Sequence, residues 1–417
     1  MAVLRKFKAI RPKSGLEQKV ASYPYDVVNS EEAREIAKDN DLSFLHVVKP
    51  EIDLPEGTDL YSDEVYNKAK ENFDRFISEG ILIQDEKPVL YIYRQTMNDK
   101  EQYGIVGCCS AKDYDDDVIK KHEHTRKAKE EDRIKHVDVT NINAGPIFLT
   151  YRSEPVINGL VAEAVRSEPV YDFVASDGIG HTVWKVEDEK INNKLVDEFS
   201  SIENLYVADG HHRSASAAIV ANRRKKSNPD HTGEEEYNFF LSVLFPDEQL
   251  MIMDYNRVLK SLNGQTPEQM FAAFDKYFDV ENRGDKKYRP EKKGEIGMYF
   301  NKEWYRLTVR EEYTSSALIT DPVKSLDISF LQDNILDPFF GIEDPRTSDE
   351  IDFIGGIRGL EELERLVDEG KFKVAFAMYP TSVKELMDIA DAGKVMPPKS
   401  TWFEPKLRSG LLVHSLE

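Results

Sequence analysis

The stretch "LYVADGHHRSASAAIVANRR", Leu205 to Arg224, constrains the fold most. "NLYVA" reads as a short apolar strand, Asp209-Gly210 as a tight turn, and Ser214 to Val220 as a helix whose small residues let it pack close to a sheet. A strand running into a helix presents free backbone N–H groups at the junction, and with the helix dipole these make a ready anion site. His211, His212 and Arg213 fall on that helix start, where the dipole disfavours positive charge unless an anion is bound. The pattern predicts a phosphate there. Asp209 has several open roles: holding a histidine tautomer, touching a metal ion such as magnesium, or accepting a proton. It is also a natural helix cap, in which case the cationic residues are only a solvated first turn. Zinc is disfavoured, since adjacent helical residues diverge by about 100° and no Cys or His cluster supplies further ligands.

Around this junction the chain mixes helix and strand signals. "SDEVYNKAKENFDRFISEGI" places Val65, Ala69, Phe73, Phe76 and Ile77 at helical spacing and stops at Gly80. "PVLYIYRQTMNDKEQYGIVGCCS" predicts an antiparallel hairpin about Asn98-Asp99. The charged run Asp115 to His136 suits either a solvated helix or a loop. "YNFFLSVLFPDEQLMIMDYNRVL" predicts two strands joined by a Pro246-Asp247 turn and leading into a helix. In "TPEQMFAAFDKYF", Thr266, Pro267 and Gln269 form a capping-box start. "GEIGMYFNKEWYRLTVR" reads as a second hairpin, and the segment from Gly359 to Phe403 as helix, strand, helix. The expected class is α/β with α+β mixing.

Composition narrows the function. The 417 residues are 40% hydrophobic, enough for more than one core, with 56 Lys and Arg against 77 Asp and Glu and a net charge of −21. Such a charge repels phosphate backbones and anionic lipids, so neither a nucleic acid nor a membrane is an expected partner. The only cysteines, Cys108 and Cys109, are neighbours in a strand and form no secreted disulfide framework. Charges interrupt the N-terminus where a signal peptide would be apolar, and no run approaches the roughly 18 residues of a membrane span. A cytoplasmic location is expected; the oligomeric state is open.

The familiar phosphate motifs are absent: there is no G-x-x-x-x-G-K-S/T, no strand followed by G-x-G-x-x-G and no kinase catalytic loop. "DGIGHTVW" at Asp177 and "GGIRG" at Gly355 read as turns. Yet "YPYDVV", "KHEHT", "PIFLTY", "ADGHHR", "LFPDEQLMIMDYNRV" and "MPPKSTWFEPK" follow one another in the order seen in the family called domain of unknown function 1015. That family in turn resembles the ParB-like and sulfiredoxin-like group, in particular free-serine kinases, which carry a similar "DGHHR", an upstream "HE" pair and a late "PK-hydroxyl-hydroxyl" segment.

The turn residues Asn263-Gly264 mark the start of a second domain; with the ParB/sulfiredoxin-like catalytic core that the resemblance implies, the expected organisation is that core with insertions over residues 1–262, a second α/β domain over 263–396, and a tail, 397–417, returning to the site. The resemblance implies phosphoryl transfer to the hydroxyl of free L-serine, giving O-phospho-L-serine for cysteine biosynthesis, with Mg2+ and ATP, ADP or pyrophosphate as donor. Residue by residue, Glu123 matches the carboxylate that takes the serine proton, with Asp209 beside it in the catalytic set. His211, His212 and Arg213 match the phosphate-handling segment, and Lys399, Ser400 and Thr401 the late phosphate contact. Pro397 and Pro398 stiffen the approach of that last segment, and Trp402 and Phe403 favour its docking. Asp26, in "YPYDVV", is a further substrate-binding candidate.

Phosphoryl transfer asks a protein to position its partners and neutralise spreading charge, with one carboxylate near the attacking hydroxyl, and these segments supply those parts. Three other readings compete. A DNA-partition module is opposed by the net charge and by the lack of a helix-turn-helix. Sulfiredoxin-like repair needs a cysteine where His211 stands. A non-catalytic nucleotide or phosphate sensor would use the same anion site.

Overall fold

The computed structural model describes residues 1–314 and 321–417. The chain is mixed α/β and divides into two compact units, Met1–Leu250 with Pro405–Glu417, and Met251–Glu404. The boundaries expected from the sequence lie after residues 262 and 396.

The first unit is built on a nine-stranded mixed sheet. Its strand order is Ile119–Lys120, Leu205–Asp209, Ile147–Tyr151, Phe239–Pro246, Lys100–Ser110, Tyr91–Met97, Gly180–Lys185 and Tyr171–Val174, with Leu4–Arg5 pairing beside Lys100–Ser110. The hairpin 91–110 forms as its sequence predicts, because Asn98 (φ 49°) and Asp99 (φ 63°) tolerate the left-handed turn that matches strand twist. Leu90, Ile92, Ile105, Leu149, Val207 and Leu244 bury one continuous core from these strands. The amphipathic helix is Asp63–Ser78, and the charged run contributes a second helix, Lys127–Thr140. "HTVW" belongs to the strand Gly180–Lys185, so only Asp177 and Gly178 of that stretch form the expected turn.

The second unit holds a six-stranded antiparallel sheet in the order Phe278–Gly284, Glu303–Val309, Glu295–Phe300, Val374–Met378, Tyr255–Leu259 and Ile351–Gly355. Pro267–Phe274 forms behind the complete Thr266/Gln269 capping box. The two strands expected about Pro246-Asp247 do not pair. Phe239–Pro246 lies between Lys100–Ser110 and Ile147–Tyr151, whereas Met251–Met253 pairs with Trp402–Glu404. "YNRVL" is a further strand, Tyr255–Leu259, before the helix begins. Among the described residues no helix is long and apolar enough to cross a membrane.

Candidate functional site

Topology brings distant motifs to one sheet end. Ile119–Lys120 runs parallel to Leu205–Tyr206, so "KHEHT" and "DGHHR" leave the sheet on the same side. Ile147–Tyr151 runs antiparallel to Leu205–Asp209, which returns Gly145 and Pro146 to that side. The register of Leu205–Asp209 slips between Val207 and Asp209, an irregularity of the kind that re-aims a side chain at the end of a strand.

The helix begins immediately, at His211, and runs to Ser227, longer than its small-residue stretch alone predicts. Gly210 takes φ +99°, a conformation open to glycine, and a Cβ there would lie 3.2 Å from the Arg213 guanidinium. No side chain caps this helix and no acid stands in its first turn, so Asp209 is not the cap. Ser214 N is the first amide bonded within the turn, to Gly210 O at 2.9 Å. The amides of His211, His212 and Arg213 thus precede the helix's own hydrogen-bond ladder, at its positive end.

Asp209 is instead a charge hub. Lys406 Nζ donates to its Oδ2 at 3.2 Å, and Arg213 Nη2 lies 3.9 Å from its Oδ1. Burial pushes the Asp209 carboxyl up, but Lys406 and Arg213 more than offset that and hold it well below the usual carboxylate range. Arg213 also donates from Nη1 to the Pro146 carbonyl, while its buried Nε has no hydrogen-bond partner among the described residues.

His211 is 5% exposed, with Nδ1 3.8 Å from Glu123 Oε2. Its Nε2 is buried without a hydrogen-bond partner among the described residues, and the His122 ring packs edge-on at 4.4 Å. Burial, then the neighbouring His122, push the His211 pKa well down, so the ring is neutral. Burial likewise lowers His122 to about 4. Glu123 keeps an exposed side chain, so a carboxylate in contact with a buried imidazole also meets solvent.

The remaining candidates fall elsewhere. His212, expected on the phosphate, accepts the Arg126 amide at Nε2 (3.1 Å); it ties the Glu123 loop to the helix start and its lone pair is committed. Asp26 is exposed in a turn, close enough for its charge to strengthen proton binding by Arg213 and His212 against the effect of their burial. Lys399, Ser400 and Thr401 belong to the second unit. There Lys399 has φ +58° and its carbonyl accepts from Arg257 Nη2 at 3.1 Å, while Ser400, 5% exposed, donates Oγ to Pro397 O at 2.5 Å. The Ser400 hydroxyl is therefore occupied in shaping its own loop. Residues 405–417 lie in the first unit, and the lysine they bring to Asp209 is Lys406. "MPPKSTWFEPK" contains two Pro-Lys pairs, and the resemblance points to the first of them.

Two further tests bear on ligands. A cavity of about 40 Å³ behind Arg213, lined by Tyr25, Arg133, His136, Asn143 and Ser409 among others, has room for a water or two but not for a substrate. No group of three or more His, Cys, Asp or Glu able to hold a metal exists among the described residues. Asp209 alone, with an oxygen toward each of two cations, does not fit a metal held by protein groups.

Comparison with curated proteins finds no match. Among solved structures, a conserved hypothetical protein from Pyrococcus furiosus is 15% identical, covering 72% of this chain and 92% of that one at a TM-score of 0.34. A free serine kinase in complex with AMP is 14% identical, covering 71% and 89% at a TM-score of 0.33. SbnI with a C-terminal truncation, from Staphylococcus aureus, is 11% identical, covering 74% and 87% at a TM-score of 0.38. The family model described as protein of unknown function (DUF1015) matches residues 4–329. That match spans well over half of the chain, and the protein belongs to this family.

Proposed function

We propose that the protein is a small-molecule phosphotransferase that moves a phosphoryl group onto the hydroxyl of free L-serine. The observation that carries this reading is the meeting of Glu123 with the His211 end of an uncapped helix start, beside the Asp209 and Arg213 pair. An uncapped positive helix end, an arginine and a buried neutral imidazole suit a terminal phosphate, while a solvent-reaching carboxylate next to them suits an incoming hydroxyl.

In the step so built, the serine Oγ attacks the terminal phosphorus of the donor and its proton passes to Glu123. The new Oγ–P bond forms as the bond from phosphorus to the donor's bridging oxygen breaks, and the shortened donor leaves with the electron pair. Arg213 and the leading helix amides face the charge that spreads over the phosphoryl oxygens. ATP, ADP and pyrophosphate all offer that end, and the divalent ion travels as the counter-ion of the polyphosphate. L-Serine as acceptor rests on the motif resemblance.

The test is to incubate purified protein with magnesium, a panel of free amino acids and each of the three donors, and to look for new phosphomonoesters. O-Phosphoserine formed with at least one donor supports the reading. Binding of a donor without turnover of any acceptor leaves a non-catalytic phosphate sensor in its place.

A further inference from the structure

Resting on that reading of the site, we propose that the segment Pro405–Gly410 is a strap that delivers Lys406 as a second phosphate-binding cation, exchangeable between Asp209 and the bound polyphosphate.

A lysine has a long flexible stem, so its charge is well placed only where its backbone is held. The strap is held at Lys406 itself and along the residues that follow it. The Lys406 carbonyl accepts from Gln95 Nε2 at 2.9 Å, and Gln95 is itself fully buried and accepts from Gln102 Nε2 at 3.0 Å. Two residues on, Arg408 is 4% exposed, ion-paired with Asp177, and donates from Nε to His181 Nε2 at 3.1 Å. Its guanidinium lies 4.2 Å from the centre of the Tyr23 ring, whose hydroxyl donates to Asp177 Oδ2 at 2.8 Å. Because His181 Nε2 accepts, its Nδ1 carries the proton and donates to Tyr93 Oη at 2.7 Å, so this buried lock has one tautomer. Ser409 and Ser22 exchange both backbone hydrogen bonds at 3.0 Å, and Gly410, at φ +85°, passes where a Cβ would lie 2.6 Å from Phe44.

Lys406 differs from Arg408 in what it meets. Its partner Asp209 is 28% exposed, the contact is a single hydrogen bond, and Arg213 shares the same carboxylate. Lys406 and Arg213 thus both approach the Asp209 carboxylate, at the positive end of a helix. An incoming phosphate gives Lys406 an acceptor besides Asp209 without moving the strap. Arg408 is the anchor and Lys406 the working charge.

The test measures magnesium pyrophosphate binding by calorimetry to the full-length protein and to Lys406→Met, Lys406→Arg and Arg213→Ala, with thermal melts run on each. The proposal expects Lys406→Met to bind at least 10-fold more weakly with a shallower dependence on salt, and Lys406→Arg to recover most of the affinity. Unchanged affinity in a folded Lys406→Met, alongside a loss in Arg213→Ala, overturns the strap's role while the phosphate site stands. No recovery by Lys406→Arg, with the salt dependence unmoved, also overturns it, because the lysine then serves only the fold. If the unaltered protein binds no pyrophosphate and all three variants match it, the phosphate reading itself falls and this proposal with it.

Discussion

Replacing Asp209 by Asn keeps the shape of the side chain and removes the anion from between Lys406 at 3.2 Å and Arg213 at 3.9 Å. Both cations are mostly buried, with side chains 13% and 11% exposed, so they cannot recover full hydration. Stripping one partner from a buried ion pair costs about 3–5 kcal/mol, and the 28% exposure of Asp209 brings the expected loss to roughly 2–3 kcal/mol. At about 2–4 °C per kcal/mol for a unit of this size, the melting midpoint falls by roughly 4–12 °C. Added pyrophosphate should then stabilise Asp209→Asn more than the unaltered protein, since it meets the two cations without Asp209 competing for them. A ligand at 100 times its Kd contributes about 2.7 kcal/mol, so the rescue is measurable by scanning fluorimetry over a titration. An unchanged midpoint in Asp209→Asn, or a larger pyrophosphate shift in the unaltered protein, refutes this account of the hub.

Three further outcomes follow from the same geometry. Glu123→Gln, which keeps the shape and removes the base, lowers serine turnover by about 100-fold or more with little change in donor affinity; near-normal turnover moves the role to Asp209. Gly210→Ala forces a Cβ into a φ of +99° and to 3.2 Å from Arg213, so it lowers both the urea midpoint and donor affinity, and retention of both contradicts the tight junction. Burial holds His122 and His136 near 4 and, with the Arg408 charge adding to it, His181 near 3, against an ordinary value of 6.5. The unfolded chain takes up these protons first as pH falls, so the stability present above pH 6.5 declines between about 6.5 and 4, by about 1.4 kcal/mol per pKa unit for each histidine. A urea midpoint that stays flat from pH 7 to 4 contradicts that burial.

Local chemistry made much of the fold legible. Asn98-Asp99, the Thr266 capping box and the Gly80 stop each act within a few residues, and each forms where its sequence points. Pairing between distant segments left no such mark. Nothing near Pro246 tells that Phe239–Pro246 inserts between Lys100–Ser110 and Ile147–Tyr151 while Met251–Met253 finds Trp402–Glu404. That "DGHHR" sets cationic residues on a helix start was readable because strand, glycine turn and helix follow one another directly in the chain. The approach of Glu123 to His211 was not, since it depends on the parallel pairing of Ile119–Lys120 with Leu205–Tyr206. Lys406 was hidden for a similar reason: a lysine in a Pro-rich tail has no periodicity, and only the buried Gln95 and Arg408 contacts show where its charge is sent.

The central claim is that a free hydroxyl attacks the donor's terminal phosphorus at this site. The most direct measurement is a single turnover with L-serine carrying oxygen-18 in its side chain, magnesium and each polyphosphate donor, read by phosphorus NMR. The account predicts one new phosphomonoester signal, O-phosphoserine, shifted by the heavy oxygen in its bridging position and appearing about 100-fold more slowly in Glu123→Gln. Donor cleavage to inorganic phosphate with no labelled ester, or no cleavage of any donor that binds, contradicts it.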